Sequence, residues 1–170
     1  MSKGMIHVYT GNGKGKTTAA FGVVLRSILS NKRVFVGQFV KNRDSSELSI
    51  SNFFDNIEIV QYGEGFFIRR SPEKKDIEAA KKALLDVREK ILSQDYDLIV
   101  LDEINIAIEY ELIAIKDVLE MLENNGKTEI ILTGRYAKQE IIDRADLVTE
   151  MKHIKHYYSK GVLSRKGIDK

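Results

Sequence analysis

Residues 97–103 read DLIVLDE, four consecutive apolar residues followed by two acids. A strand that is wet on one side alternates apolar with polar residues, because successive side chains point to opposite faces. A strand apolar throughout is covered on both faces, the habit of a parallel sheet flanked by helices. The segment TEIILTGR at 128–135 has the same character. RVFVGQFV at 33–40 alternates but is β-branched and aromatic, so it too reads as a strand. Shorter strands are expected at Met5–Tyr9, at 57–62 (IEIVQY) and at 147–151 (LVTEM).

Helical segments fall between these strands. KTTAAFGVVLRSILS runs from Lys16 to about Ser30, with Asn31 near its end. Ser71-Pro72 offers an N-cap and a first-turn proline for a helix to about Ser93. That helix would carry Ile77, Ala80, Leu84, Val87 and Ile91 on one face. A further helix is expected at 111–124, burying Leu112, Ile115, Leu119 and Leu122, and a short one near 137–143. The polar segment 41–52 reads as a loop or a short irregular helix. Alternating strands and helices predict an α/β fold of three layers, a mostly parallel sheet with helices on both faces. The 170 residues, with a single proline and no composition shift, suit one nucleotide-binding domain over 1–170 that ends in a basic tail from about residue 152.

The first strand feeds directly into TGNGKGKTT at 10–18. The phosphate-binding P-loop pattern is G-x-x-x-x-G-K-S/T, and Gly15-Lys16-Thr17 supplies its end. The first glycine of the pattern is replaced by Thr10, with Gly11 beside it. Such a loop works because backbone N–H groups converge on an anion in front of a helix N-terminus. Gly11, Gly13 and Gly15 allow the close approach, Lys16 reaches phosphate oxygens, and the Thr17 or Thr18 hydroxyl holds Mg²⁺. A glycine-rich strand–helix turn with solvent-facing lysines is the plainer reading. DLIVLDE weighs against it, because an apolar strand ending in acids is what a Walker B metal-binding strand looks like. Asp102 and Glu103 are its candidate carboxylates. In an open parallel sheet both loops lie at the carboxyl edge, where ligands bind. TGR at 133–135 ends another strand there, so Arg135 either faces the nucleotide or is a solvated arginine in a turn.

Taken together, TGNGKGKTTAAFG at 10–22, VLDE at 100–103, LTGR at 132–135, DRADLVTEM at 143–151 and KHIKHYYSKGVLSRKGID at 152–169 resemble the P-loop corrinoid adenosyltransferases. The altered loop start at Thr10 is itself a mark of that family. The resemblance implies a RecA-like P-loop domain acting as a homodimer, which moves the 5′-deoxyadenosyl group of ATP to the reduced cobalt of cob(I)alamin or a precursor corrinoid and releases triphosphate. It implies Mg²⁺, with Mn²⁺ as an alternative, and a transient reduced flavoprotein as electron donor. In the family ATP lies in the reverse sense to ordinary P-loop enzymes, and a changed loop start is compatible with that. By resemblance, nucleotide contacts fall on Asn12, Gly13, Lys14, Gly15, Lys16, Thr17 and Thr18. Arg26 matches a phosphate-contacting arginine, Glu103 matches the acid ending the Walker B strand, and Lys41 stands near the active site. Phe66 matches the aromatic that displaces the corrinoid's lower ligand. Ile68 stands where the family often carries tryptophan, which alters the corrinoid wall.

Two other classes of function are compatible with parts of the sequence. A RecA-like ATPase or kinase would share the loop, although no arginine-rich lid or second domain is visible. A nucleic-acid-binding module would use the basic, tyrosine-bearing tail, but a solvated cationic edge is commoner and the net charge of +2 gives no support. With no cysteine there is no thiolate nucleophile and no disulfide framework, which fits a reducing compartment. The first residues are unlike a signal peptide, and no apolar run approaches the roughly 20 residues of a membrane span. The expectation is a cytoplasmic enzyme. Neither His7 nor His153 and His156 is needed in catalysis, because a cobalt nucleophile carries no proton.

Overall fold

The computed structural model describes residues 3–41, 45–63 and 71–169. Its strands are β1 (Ile6–Thr10), β2 (Val34–Gln38), β3 (Ile57–Gln61), β4 (Leu98–Asp102), β5 (Glu129–Thr133) and β6 (Leu147–Glu150). They form one sheet in the order β3-β2-β4-β5-β1-β6. Every pairing is parallel. The helices are α1 (Lys16–Leu29), α2 (Lys74–Ser93), α3 (Ile104–Glu109), α4 (Ile115–Glu123) and α5 (Gln139–Arg144), with 3-10 turns at Ser46–Asn52 and Tyr157–Lys160.

The sheet is apolar on both faces because each face meets a different helical layer. Ile6, Val8, Phe35, Ile99, Leu101, Ile130 and Leu132 pack with Ala80, Ala83 and Val87 of α2, with Ile104 of α3 and with Met121 of α4. Their neighbours Tyr9, Val34, Val36, Leu98, Val100 and Ile131 point the other way, onto Ala20, Phe21, Val24 and Ile28 of α1. Each such side chain contributes about 1.5–3 kcal/mol through its burial. The absence of alternation in DLIVLDE is thus the sum of two alternating sets.

Two boundaries differ from expectation. The long helix starts at Lys74 with Glu73 as its cap, not at Ser71-Pro72. Glu73 and Asp76 form a reciprocal capping box, in which the Glu73 N–H donates to Asp76 Oδ2 at 2.8 Å. Two carboxylates in the first turn complement the exposed N–H groups and the helix dipole better than the serine would. The helix expected at 111–124 starts only at Ile115, as α4, and α3, which was not expected, begins immediately after the β4 acids. Glu111, at φ 56°, breaks the run between them. Leu112 is buried in that turn, Val118, Met121 and Leu122 are buried on α4, and Leu119 is partly buried.

Candidate active site

The loop after β1 is shaped by its contact with the chain that follows β6. The Gly13 N–H donates to the Met151 carbonyl at 2.6 Å. A Cβ at Gly11 would lie 2.5 Å from that carbonyl oxygen, and one at Gly13 would lie 2.7 Å from it. Gly11 at φ 96° and Gly15 at φ 119° supply the positive dihedrals that turn the chain into α1. Thr10 remains in β1, opposite Glu150 of β6, and its hydroxyl accepts from the Ala137 N–H at 3.3 Å. The backbone reversal that a leading glycine would make is made one residue later.

Lys16 opens α1 and is buried, its ammonium donating to the Gly13 carbonyl at 2.7 Å. Burial pushes this lysine below the usual range, with Arg135 and Lys41 adding to the effect and Glu103 and Asp102 opposing it. A group so placed gains most when a phosphate arrives to share its charge.

Asp102, at the end of β4, is fully buried. Its Oδ1 accepts from the Thr17 hydroxyl at 2.9 Å and from the Thr133 hydroxyl at 2.7 Å. Its Oδ2 accepts from Gln38 Nε2 at 3.0 Å and from the Lys41 ammonium at 2.6 Å. Four donors from four segments saturate the carboxylate. β5 lies between β1 and β4, and Thr133 at its end bridges the two acids, since it also accepts the Glu103 N–H at 3.0 Å. Gln38 is fixed in turn by Gln61, whose Nε2 donates to its Oε1 at 2.9 Å. Neither Gln38 nor Thr133 was singled out by sequence. The signal was their place as polar residues ending strands that are otherwise apolar.

Lys16, Thr17, Lys41 and Glu103 line one side of a cleft of about 690 Å³, and the chain after β6 forms the other. Asn12, Gly13, Lys14, Lys16, Thr17, Thr18, Lys41, Glu103 and Arg135 all face it. Thr10, Gly11, Gly15 and the saturated Asp102 shape it from behind, and Arg26 sits exposed toward the far end of α1, away from the lining. Lys14 spans the cleft edge to the opposite wall. Its ammonium donates to Tyr157 Oη at 2.8 Å and to the Ile168 carbonyl at 2.9 Å, and it pairs with Asp169. Tyr157 and Arg165 also donate to Asp169, and Arg165 stacks on the Tyr157 ring. His153, His156 and Tyr158 complete that wall. Phe66 and Ile68 lie outside the described residues.

A divalent ion has one well-prepared ligand here. Thr17 gives its proton to Asp102 and keeps lone pairs for a cation, with Glu103 facing the same cleft. Among the described residues there is no cluster of three or more His, Cys, Asp or Glu able to hold a metal by themselves. The donor set therefore fits an ion that completes its shell with phosphate oxygens and water, Asp102 acting through Thr17.

Comparison with known proteins decides what this cleft belongs to. The family model "ATP:corrinoid adenosyltransferase BtuR/CobO/CobP" matches residues 2–169. The chain belongs to that family. A corrinoid adenosyltransferase of Sinorhizobium is 38% identical to it over 98% of this chain and 80% of the relative. Another, from Escherichia coli K12, is 31% identical over 98% of this chain and 86% of its own length. Among solved structures, the RadB recombinase superposes with a TM-score of 0.55 over 91% of this chain and 77% of its own, at 14% identity. That likeness is one of fold alone, and it establishes the RecA-like architecture. In this adenosyltransferase-family chain the sheet is the RecA-like one, and the loop after β1 occupies the P-loop position. Among the described residues, no helix is long and apolar enough to cross a membrane.

Proposed function

We propose that this chain, as one nucleotide-binding domain, transfers the 5′-deoxyadenosyl group of ATP to the reduced cobalt of a corrinoid. The cobalt electron pair attacks C5′, the C5′–O bond breaks, and the departing triphosphate takes that bonding pair. No proton moves at the reacting atoms, so this chemistry asks no proton transfer of the titratable groups in the wall, Glu103, His153 and His156 among them. The residues' task is to orient ATP and to stabilise charge that grows on the leaving group. Lys16, the loop amides of Asn12–Thr18 and Arg135 supply that stabilisation. Mg²⁺ or Mn²⁺, held by Thr17 with Asp102 behind it and Glu103 beside it, would neutralise further phosphate charge. Phe66 is assigned to the corrinoid's lower face by resemblance, and Arg26 to phosphate on the same ground. Activity as a homodimer in the cytoplasm, with a reduced flavoprotein as electron donor, completes the reading.

The observation that supports it most is Thr17 bound to the buried Asp102 beside Lys16, in the wall of a cleft large enough for a nucleotide and closed on its other side by the tail. The test is an anaerobic assay with ATP and chemically reduced cobalamin, following the cobalt–carbon product and triphosphate together. Equal amounts of the two are expected. Corrinoid-independent release of ADP would replace this reading with that of an ATPase. Lys16→Ala should lower kcat/KM by about a hundredfold or more, the usual effect of losing a preorganised charge at a leaving group.

A further inference from the structure

The corner between Thr17 and Asp102 is where a P-loop enzyme gathers positive charge against its nucleotide's phosphates. In this chain a protein side chain already brings charge there. Lys41 leaves the end of β2 and places its ammonium 2.6 Å from Asp102 Oδ2 and 3.4 Å from Thr17 Oγ1. The position is built rather than incidental. Asp102 is fully buried, and its remaining acceptor sites are filled by Thr17, Thr133 and Gln38. The lysine side chain is about a quarter exposed, at 27%, so its ammonium is fixed from behind and open toward the cleft it lines. An ammonium has three donors. One is spent on Asp102 and a longer one on Thr17, which leaves one for an incoming oxygen.

We propose that Lys41 is a resident cation of the phosphate site, which binds the triphosphate of the nucleotide and makes its retention only partly dependent on a divalent ion. The inference rests on the reading of the cleft as a triphosphate site. In an ordinary P-loop enzyme the Walker B carboxylate and the loop hydroxyl direct their charge to the metal alone. Here the same carboxylate divides its two oxygens, one toward Thr17 and one toward a lysine. Positive charge at the leaving group therefore comes from two sources, of which only one can be chelated away. Lys41 acts on the substrate by direct contact, and Asp102 and Gln38 act through it as positioning residues.

Inorganic tripolyphosphate is the probe, with binding to the full chain measured by calorimetry in Mg²⁺ and in excess chelator. For the unaltered protein, removing Mg²⁺ should weaken binding by about tenfold or less. For Lys41→Gln the same removal should weaken it by a further factor of about ten to a hundred, as expected for the loss of one charge-assisted hydrogen bond. Lys41→Arg, which keeps the charge, should restore most of the metal-free affinity. Binding in Mg²⁺ shows at the same time that each variant is folded. If the unaltered protein binds only in Mg²⁺, or if Lys41→Gln shows the same metal dependence as the unaltered protein, Lys41 is not the resident cation, although the site remains a triphosphate site. If the unaltered protein fails to bind tripolyphosphate even in Mg²⁺, the reading of the cleft itself falls.

Discussion

Glu103 carries a conflict imposed by its surroundings. It caps α3 in the left-handed region, at φ 63°, a conformation that costs a non-glycine residue about 1 kcal/mol. Burial pushes its carboxyl up, and the neighbouring Asp102 charge adds to the effect, while Lys41, Lys16 and Arg135 pull it down by less. A carboxyl with a raised folded-state pKa stabilises the fold when protonated and loses that contribution as pH rises through the raised value. Glu103→Gln should therefore raise Tm by a few degrees near pH 8. The difference from the unaltered protein should be smaller at a lower pH, as the wild-type carboxyl protonates too. The same substitution should lower kcat, since it removes a charge from the metal side of the cleft. Thermal melts at both pH values, paired with turnover, check this. A variant that melts lower at pH 8 would show that the ionised carboxylate stabilises the fold.

The loop between β1 and α1 owes its shape to steric approach as much as to backbone freedom. Gly13 does not need a positive φ, yet a Cβ there would lie 2.7 Å from the Met151 carbonyl and 2.8 Å from Lys152. Gly13→Ala should destabilise the protein by about 1–3 kcal/mol, the usual cost of forcing a methyl group into a filled space. It should also weaken tripolyphosphate binding, because the loop N–H groups would splay. Calorimetric unfolding and binding measure the two effects, and an unchanged Tm would refute the close contact. β4 and β5 were legible because their apolar runs are unbroken, β2 because it is β-branched and aromatic, and the loop because glycine, lysine and threonine stand in fixed spacing. The start of α2 was not, because Ser71-Pro72 presents a cap by residue type whereas Glu73 and Asp76 form one by reciprocal geometry. The late start of α4 was hidden for a related reason: Leu112 and Ile115 stand at helical spacing, and only the backbone at Glu111 turns away from a helix.

The tail joins the two ends of the described chain at the nucleotide cleft. Asp169 is held well below the usual carboxylate range by hydrogen bonds from Lys14, then Tyr157, with Arg165 adding to both. A carboxylate with a lowered folded-state pKa contributes stability above its unfolded value and loses it as pH falls through the folded one. The latch should therefore hold across the neutral range and open only in strong acid. Lys14→Ala should raise hydrogen exchange across 156–169 while leaving the amides of β4 and β5 protected, as mass spectrometry would resolve. Equal exchange in both proteins would mean that the tail is held by its other contacts. The resemblance placed Lys14 on the nucleotide, but its pairing with Asp169 across the length of the chain leaves no local pattern to read. The same holds for Gln38 and Thr133, and for the partners of Lys41, which resemblance had put near the site without saying what it touches. Each is unremarkable in its own segment and acquires a role only when the strand order β2-β4-β5 brings it to Asp102.

That order also governs when the cradle can come into being. β1, which carries the phosphate loop, pairs with β5 on one side and β6 on the other, and with no strand in between along the chain. During synthesis β2, β3 and β4 emerge with partners already present or soon to follow, whereas β1 must wait for the last third of the chain. Contacts so far apart in sequence form slowly, because the closure entropy is lost before any pairing compensates for it. The glycines of the loop are held in place by Met151, so the cradle is complete only once the chain after β6 has been made.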